Sequence, residues 1–460
     1  MIVPPDIADR LLAECLGRPQ AHAALGELCD TVGGRTSGAP SGDRAEVWAF
    51  DQLANWGLEA VRYETVDVAV WQRGTLNAAV IASAGWRLTA LAHGNCPRAA
   101  DVTAAVVDVG HAERAEFERV RDSVRGQIAL CDEGATEGKR RLHRSEKLGL
   151  AVEHGATGLM ILSSADGGLP RTGVCHRGES PIPSIGIALE DGQRLRRLID
   201  QGHRPTAHIA MSNTFTRGTA RNVLADLRGH ERPDEIVLAG GHLDSWDVAQ
   251  GATDNGLGAA IVLEMARALA ALGKRPRRTM RFALWAAEET GLCGSTAYVA
   301  AHAGALPDIK GVMNFDMTGD PYGYWTPGHP EPGPLIRGLA RQLAPLGMRG
   351  ECQHKAGLHS DHQPFMLAGV PVVCLLGELG AQGGRYYHSI GDTFEKVSLP
   401  SFARAAAVGA HTLWALADAP EPPLPHLDAT EVRAMVDAAD LYEALVAEGY
   451  DGAAMRVGSG

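Results

Sequence analysis

The sequence predicts an α/β protein in which a mostly parallel mixed sheet, flanked by helices, carries an inserted β-rich module. Three observations lead there. From residue 230 onward, apolar strand-like runs alternate with helical ones, the pattern of parallel strands joined by crossover helices. Between residues 88 and 215 the texture changes to short β-rich runs separated by polar turns. The 460 residues, 45% of them hydrophobic, suffice for a large core divided among two or three modules.

Residues 1–87 read as the first part of the larger domain, with a helical pattern in "DRAEVWAFDQLANWGLEAV" followed by strand-like "ETVDVAVW" and "NAAVIAS". Residues 88–215 form the insert. Its strands are expected in "DVTAAVVDVG", "GQIALC", "GLMILSS", "PSIGIAL" and "TAHIAMS", around one helical stretch, "RSEKLGLAVEHG". Residues 216–420 then alternate: "EIVLAGGH", "GLGAAIVLEMARALAAL", "TMRFALWAA", "GVMNFDM" and "PVVCLLGE". In the helical run, Leu257, Ile261, Met265, Leu269 and Leu272 share one apolar stripe. Residues 421–460 read as a Pro-rich linker and a docking helix within "ATEVRAMVDAADLYEALVAEG".

Composition excludes several functions. A net charge of −12 and a pI near 5.8 leave no basic face for nucleic acid. No run approaches the roughly 20 apolar residues a membrane span needs, and "MIVPPDIADRLLAECLGRPQ" lacks a basic segment followed by an apolar one, so a cytoplasmic protein without membrane partners is expected. The eight cysteines form no C-x-x-C pair and are expected to be reduced core thiols.

The chemistry concentrates at the ends of strand-like runs. "VLAG" leads to His242 and Asp244, the Gly-flanked loop after it carries Asp254, "RFALWAA" leads to Glu288 and Glu289, and "VMNF" leads to Asp316. His388 lies further on, in "RYYHSIGDT". In a parallel sheet these groups converge on one edge, where such folds bind ligands. Several carboxylates buried together need cations, because unpaired buried charges cost several kcal/mol each. Imidazole and carboxylate suit zinc, and a shared carboxylate holds two metals roughly 3.5–4 Å apart. Asp254 is the natural bridge. Neighbouring side chains point different ways, so of Glu288 and Glu289 one can ligate while the other serves as general base.

The motifs "GGHLDSWDVAQGATDNGLGA", "WAAEETGLCGS", "NFDMTGD", "SDHQPFMLAGVP" and "YYHSIGDT" resemble, in order and spacing, those of the M28 family of di-zinc peptidases. "NVLADLRGHERPDEIVLAGGHLDSWDVAQGA" is similar to the carboxypeptidase Q-like subgroup, and the insert resembles a protease-associated domain. The resemblance implies a zinc-exopeptidase, phosphorylase/hydrolase-like fold. It implies one zinc on His242, Asp254 and Asp316, a second on Asp254, Glu289 and His388, and Glu288 as general base. It assigns Asp244 to orienting His242 and Tyr387 to hydrogen-bonding the developing oxyanion. Many family members have Asp after the bridging Asp, across a cis bond. Here Asn255 stands there, which leaves the metal ligands intact.

Other polar groups are assigned to supporting places. Asp361 matches a structural position of the family, His359 and His362 are expected at the rim or behind the ligands, Asp392 in its own loop, and Asp320 as a substitute ligand should the strand register differ. Arg385, Glu378 and Trp325 are candidates for the substrate pocket. The expected activity is hydrolysis of a peptide or amide bond next to a free terminus of a small substrate, amino or carboxyl end left open. Two zinc ions are the expected cofactors, with manganese or cobalt as substitutes. The insert is expected to roof the site in part or to support a homodimer. The alternatives are a dedicated amidohydrolase for one metabolite, a single-zinc cyclase, a metal-free binding protein on the same fold, and a serine hydrolase. The last is disfavoured because neither Ser295 nor Ser360 lies in a G-x-S-x-G elbow.

Overall fold

A long two-stranded ribbon organises the computed structural model, which describes residues 2–81, 85–380 and 383–450. The strands Glu59–Ile81 and Thr206–Leu227 pair antiparallel from Arg62 opposite Leu224 to Ile81 opposite Thr206. Val66, Val68 and Val70 point to one buried face and the residues between them to the other, the period of two that a strand requires. At one end of the ribbon Leu224 pairs with Ala283 of the strand Arg278–Trp285, and at the other Met211 pairs with Ala100 of the strand Ala99–Asp108. The insert therefore shares one continuous sheet with the larger part of the chain. The expected strand "NAAVIAS" is the end of this ribbon as far as Ile81; its last two residues lie outside the described residues.

In the larger part, the strand Arg232–His242 lies between Ile309–Asn314 and Arg278–Trp285, parallel to both. His242 is opposite Trp285, and Gly240 opposite Asn314, so the three strands end level with one another. The sheet is more mixed than the alternation suggested, because both ribbon strands run antiparallel to their neighbours. "PVVCLLGE" also divides: Val372 bridges to Val312 of the main sheet, whereas Cys374–Glu378 leaves it for a separate sheet with Asp320–Trp325 and Glu351–Gln353. Hydropathy alone does not distinguish the two destinations.

The helix Leu257–Ala271 carries the expected stripe, but every residue from Leu257 to Leu269 is buried. Helices Pro5–Gly17, Ala21–Thr31 and Leu399–Asp418 cover the faces that the sheet leaves open. Burial of its two charged residues is offset locally. Glu264 accepts hydrogen bonds from the backbone of Gln20 (2.9 Å) and Ala21 (2.8 Å), capping the second helix, and Arg267 bridges Glu264 and Glu14.

The insert has its own core, around Phe117, Leu130, Met160 and Ile185. Strands Ala99–Asp108, Ile128–Asp132, Gly158–Leu162 and Ser184–Ile187 run parallel in that order. Parallel strands need crossovers, and the insert accordingly holds a second helix of some length besides the expected Arg144–Glu153. This helix, Leu189–Asp200, buries Leu195 and ties Arg196 to Asp108 and Asp132. The C-terminal segment forms two short helices, Ala429–Ala438 and Tyr442–Ala447. Their Met435, Val436 and Leu445 pack with Trp285, Tyr298 and Phe365. Among the described residues, no helix is long and apolar enough to cross a membrane.

Candidate metal centre

The level ends of the three parallel strands determine where the polar groups meet. His242 is the last residue of its strand, Glu288 and Glu289 follow Trp285 by one short turn, and Asp316 follows Asn314 by two residues. Asp254 sits between the first strand and the central helix, after a left-handed Gly251 and before Asn255, to which it is joined by a cis peptide bond. The surrounding glycines allow the helix and the sheet to touch. A Cβ on Gly241 or Gly258 would lie 2.6 or 2.1 Å from the Phe315 carbonyl oxygen.

Two triads result. His242 Nε2 lies 3.3 Å from Asp254 Oδ1 and 3.6 Å from Asp316 Oδ1. His388 Nε2 lies 3.0 Å from both Asp254 Oδ2 and Glu289 Oε2. Asp254 thus turns one oxygen to each group. In each triad one imidazole nitrogen and two carboxylate oxygens lie within 4.8 Å of one another. Ligands about 2.1 Å from a tetrahedral ion stand roughly 3.4 Å apart, so the spacing matches what zinc requires. Glu289 Oε1 is buried without a hydrogen-bond partner, a further sign that the donor set is built for a cation. The expected ligands are therefore brought together, all five of them.

Electrostatics agree. Burial opposes the charge on His388, but Glu289 and Asp254 outweigh it and push its pKa to about 9. Burial likewise opposes the charge on His242, yet Glu288, Asp244, Asp254 and Asp316 raise it well above the usual histidine value. Burial pushes Glu289 up to about 7. Glu288, 4.0 Å from His242 Nε2, is raised well above a normal carboxylate, by burial first and then by Asp316, Glu289 and Asp361. The protein holds protons on these groups where cations would satisfy them.

The supporting contacts sort the remaining candidates. Asp244 accepts hydrogen bonds from the backbone of Glu288 (3.1 Å) and Glu289 (3.3 Å), and its Oδ1 is 3.5 Å from His242 Nδ1, so it positions three site residues together. Asn255 Nδ2 donates to the carbonyls of Phe315 (2.8 Å) and His242 (3.4 Å), while its Oδ1 accepts from Gly258 and Met317. An aspartate there could not make both donations. Asp392 braces the bridging loop rather than its own, accepting from Thr253 N (2.7 Å) and Asp254 N (3.0 Å). Asp320 is paired with Arg404 and is not a ligand, and Asp247 turns away to Arg73. Asp361 is buried beside Ser295, and burial lifts its pKa to about 7. Ser360 donates to Asp316 Oδ2 at 2.6 Å, a ligand-orienting contact and no nucleophile arrangement.

A cavity of about 750 Å³ opens over the two triads. Tyr387 lines it, stacked on His388 at 3.7 Å, and burial raises its phenol pKa, so it remains a donor. Trp325 also lines it, with the exposed His359 and the buried His362. Arg385 and Glu378 do not. Arg385 pairs with Asp166 and Glu378 faces Arg349, away from the cavity that their neighbours Tyr387, His388 and Leu375 line. The roof is made by the insert, through His143 and Arg144, and by Glu448 and Tyr450 of the C-terminal segment.

Four contributors were not visible in the sequence. Thr172 of the insert clamps His388 at both ends: its N–H donates to the His388 carbonyl (2.9 Å) and its carbonyl lies 3.2 Å from His388 Nδ1. Arg35, fully buried, donates to the carbonyls of Leu243 (2.7 Å), Gln250 (2.6 Å) and Gly251 (2.8 Å), and so holds the loop between His242 and Asp254. Arg144 presents its guanidinium to the cavity beside Tyr387. Glu448 meets His359 Nδ1 at 2.7 Å. Long-range partners of this kind leave no local pattern, although the missing apolar context of "GGRTSGAP" around Arg35 is a signal that a loop carries it.

Strand ends that converge two histidine-carboxylate triads beneath a partly roofed cavity define a metal-dependent hydrolase. The comparisons make the class specific. Peptidase family M28 matches residues 222–413 and the PA domain matches residues 94–195. Mouse carboxypeptidase Q is 31% identical over 411 residues, covering 87% of this chain and 86% of that protein, and human carboxypeptidase Q is 30% identical over the same span. A peptidase M28 precursor from Shewanella amazonensis shares the fold with a TM-score of 0.81 and 26% identity, covering 92% of this chain and 98% of its own. A zinc aminopeptidase from Bacillus subtilis shares it at 0.64 and 23%, covering 86% and 93%. The chain belongs to peptidase family M28, with an inserted PA domain.

Proposed function

We propose that this protein is a co-catalytic di-zinc exopeptidase that removes a residue next to a free terminus of a short peptide, and that the terminus recognised is a carboxylate. The observation that carries the reading is the pair of triads sharing Asp254, with Glu288 beside them. When bound, the two cations supply a Lewis acid for the scissile carbonyl and lower the pKa of the attacking water. His242, Asp254 and Asp316 would hold one, and Asp254, Glu289 and His388 the other.

The chain's own residues do the rest. Glu288 takes a proton from the attacking water and delivers it to the departing amide nitrogen, a task suited to its raised pKa. Asp244 keeps Glu288 and Glu289 in place through their backbone amides. Tyr387, held protonated by burial, lines the cavity as a phenol donor. Arg144 lines the same space. Burial opposes its charge, but Tyr387, Glu133 and Glu289 hold its pKa above normal, so it stays cationic and suits a substrate carboxylate. The carboxypeptidase Q relatives agree with that polarity. A roofed cavity of this size excludes folded proteins and accepts a few residues.

The test is mass-spectrometric profiling of dipeptides, longer peptides and N-acyl amino acids, with a chelator-treated control and a Glu288→Gln variant. The reading expects metal-dependent loss of the C-terminal residue, abolished by Glu288→Gln, with C-terminal amides resistant. Trimming from the amino end would overturn the polarity. Silence on all peptides from metal-loaded protein would point to a dedicated amidohydrolase instead.

A further inference from the structure

Cys96 and Cys175 lie outside the metal site but are connected to it by a few residues. Both side chains are fully buried with their sulfurs side by side, Cys96 Sγ donating to the Ser184 carbonyl at 3.0 Å and Cys175 Sγ to the Gly94 carbonyl at 3.2 Å. The backbone holds their two segments together. Gly94 forms a parallel bridge with Val174, Gly94 N donates to the Gly173 carbonyl at 2.9 Å, and both the backbone N and the Sγ of Cys175 approach the Gly94 carbonyl (3.3 and 3.2 Å). Paired segments run about 4.8 Å apart, within the Cα separation of about 4.4–6.8 Å that a disulfide spans, with Cys96 one residue past the position opposite Cys175.

The same two segments brace a site histidine. Thr172, three residues before Cys175, clamps the His388 backbone and ring, and its hydroxyl donates to the Ala92 carbonyl (2.9 Å). Trp246 packs edge-on against the His388 ring and covers Gly94, where a Cβ would meet it at 2.1 Å. We propose that Cys96 and Cys175 form a reversible disulfide that locks residues 172–175 to residues 92–96 and thereby braces His388. The bracing clause rests on the reading of His388 as a ligand; the disulfide does not.

A peroxide supplies the oxidant. The Cys96 thiolate attacks one peroxide oxygen, the O–O bond breaks, and a sulfenic acid and one water form. The Cys175 sulfur then displaces the sulfenic hydroxyl as a second water, so two thiols lose two electrons and two protons while one hydrogen peroxide becomes two waters. Ser184 N donates to the Cys96 sulfur at 3.3 Å, a contact that favours the thiolate, which makes Cys96 the attacking group.

The test treats the wild-type metal-loaded protein with hydrogen peroxide, alkylates the remaining thiols after unfolding, and maps the peptides. The expected result is a Cys96–Cys175 cross-link, loss of two of the eight alkylatable thiols, and slower zinc loss to a chelator in the oxidised protein. Alkylation of both Cys96 and Cys175, with oxidation confined to the half-exposed Cys293 or Cys352, would overturn the disulfide. A cross-link with unchanged zinc loss would overturn the bracing. In Cys175→Ser, Cys96 should stop at a sulfenic acid that dimedone captures; an unlabelled Cys96 would overturn its role as attacking sulfur.

Discussion

Arg35→Met tests whether the bridging loop is held from a distance. The substitution keeps length and apolar volume but removes the guanidinium that donates to the carbonyls of Leu243, Gln250 and Gly251 at 2.7, 2.6 and 2.8 Å. The buried Leu243 carbonyl is orphaned, at a cost of about 1–3 kcal/mol, whereas half-buried Gln250 can turn to water and Gly251 keeps the Gly256 N–H at 3.0 Å, so each adds about 0.5–1 kcal/mol. Relief of the buried guanidinium returns part of this, leaving a net loss of about 1–3 kcal/mol. With a urea slope of about 3 kcal/mol/M the unfolding midpoint falls by roughly 0.5–1 M. The loop carries Asp244 and leads into Asp254, so zinc retention against a chelator should weaken in parallel. Arg35→Lys should recover only part, since one ammonium cannot match a planar fork. An Arg35→Met protein with the wild-type midpoint and wild-type zinc retention would refute the reasoning.

Three further outcomes are expected. Metal-free His388, with its pKa pushed to about 9, carries a proton that zinc must displace, so zinc affinity rises with pH up to about 9 and binding releases protons. Calorimetry in buffers of different ionisation enthalpy measures this, and zero proton release near neutral pH would contradict it. Ser360→Ala removes the 2.6 Å hydrogen bond to Asp316 and should weaken metal affinity by about 10–100-fold without unfolding the protein, as read by competition with a fluorescent chelator. In the insert, the hydrogen bond from Lys139, with that from Thr136 N, holds Glu113 at about 2, below its unfolded value, so its contribution is present above about pH 4.5 and lost as pH falls toward 2. Glu113→Gln should lower insert stability at neutral pH, with the difference from wild type vanishing below about pH 2 in pH-dependent unfolding.

The chemistry of the centre was legible because it lies at strand ends. His242, Glu288, Glu289 and Asp316 each follow an apolar run directly, and parallel register alone places them together. The central helix was legible as a helix but not as one buried on all sides, since what covers its far face comes from residues 5–31 and 399–418. "PVVCLLGE" illustrates the limit of hydropathy: its unbroken apolar run from Val372 to Leu376 is divided between two sheets. Arg385 and Glu378 were misplaced for a related reason. Proximity along the chain to His388 and Asp316 says nothing of side-chain direction, and both ion-pair outward, whereas Arg144 reaches the cavity from an insert more than a hundred residues upstream of the first triad's carboxylates.

Metal stoichiometry tests the central claim most directly. Zinc-reconstituted wild-type protein, desalted and measured by inductively coupled plasma mass spectrometry, should hold about two ions per chain, and Glu289→Ala or Asp316→Ala about one each. Asp254→Ala should retain neither at wild-type affinity, because Asp254 turns Oδ1 to the His242 triad and Oδ2 to the His388 triad. One ion in the wild type, or an Asp254→Ala protein that keeps a tightly bound ion, would contradict the shared-ligand centre.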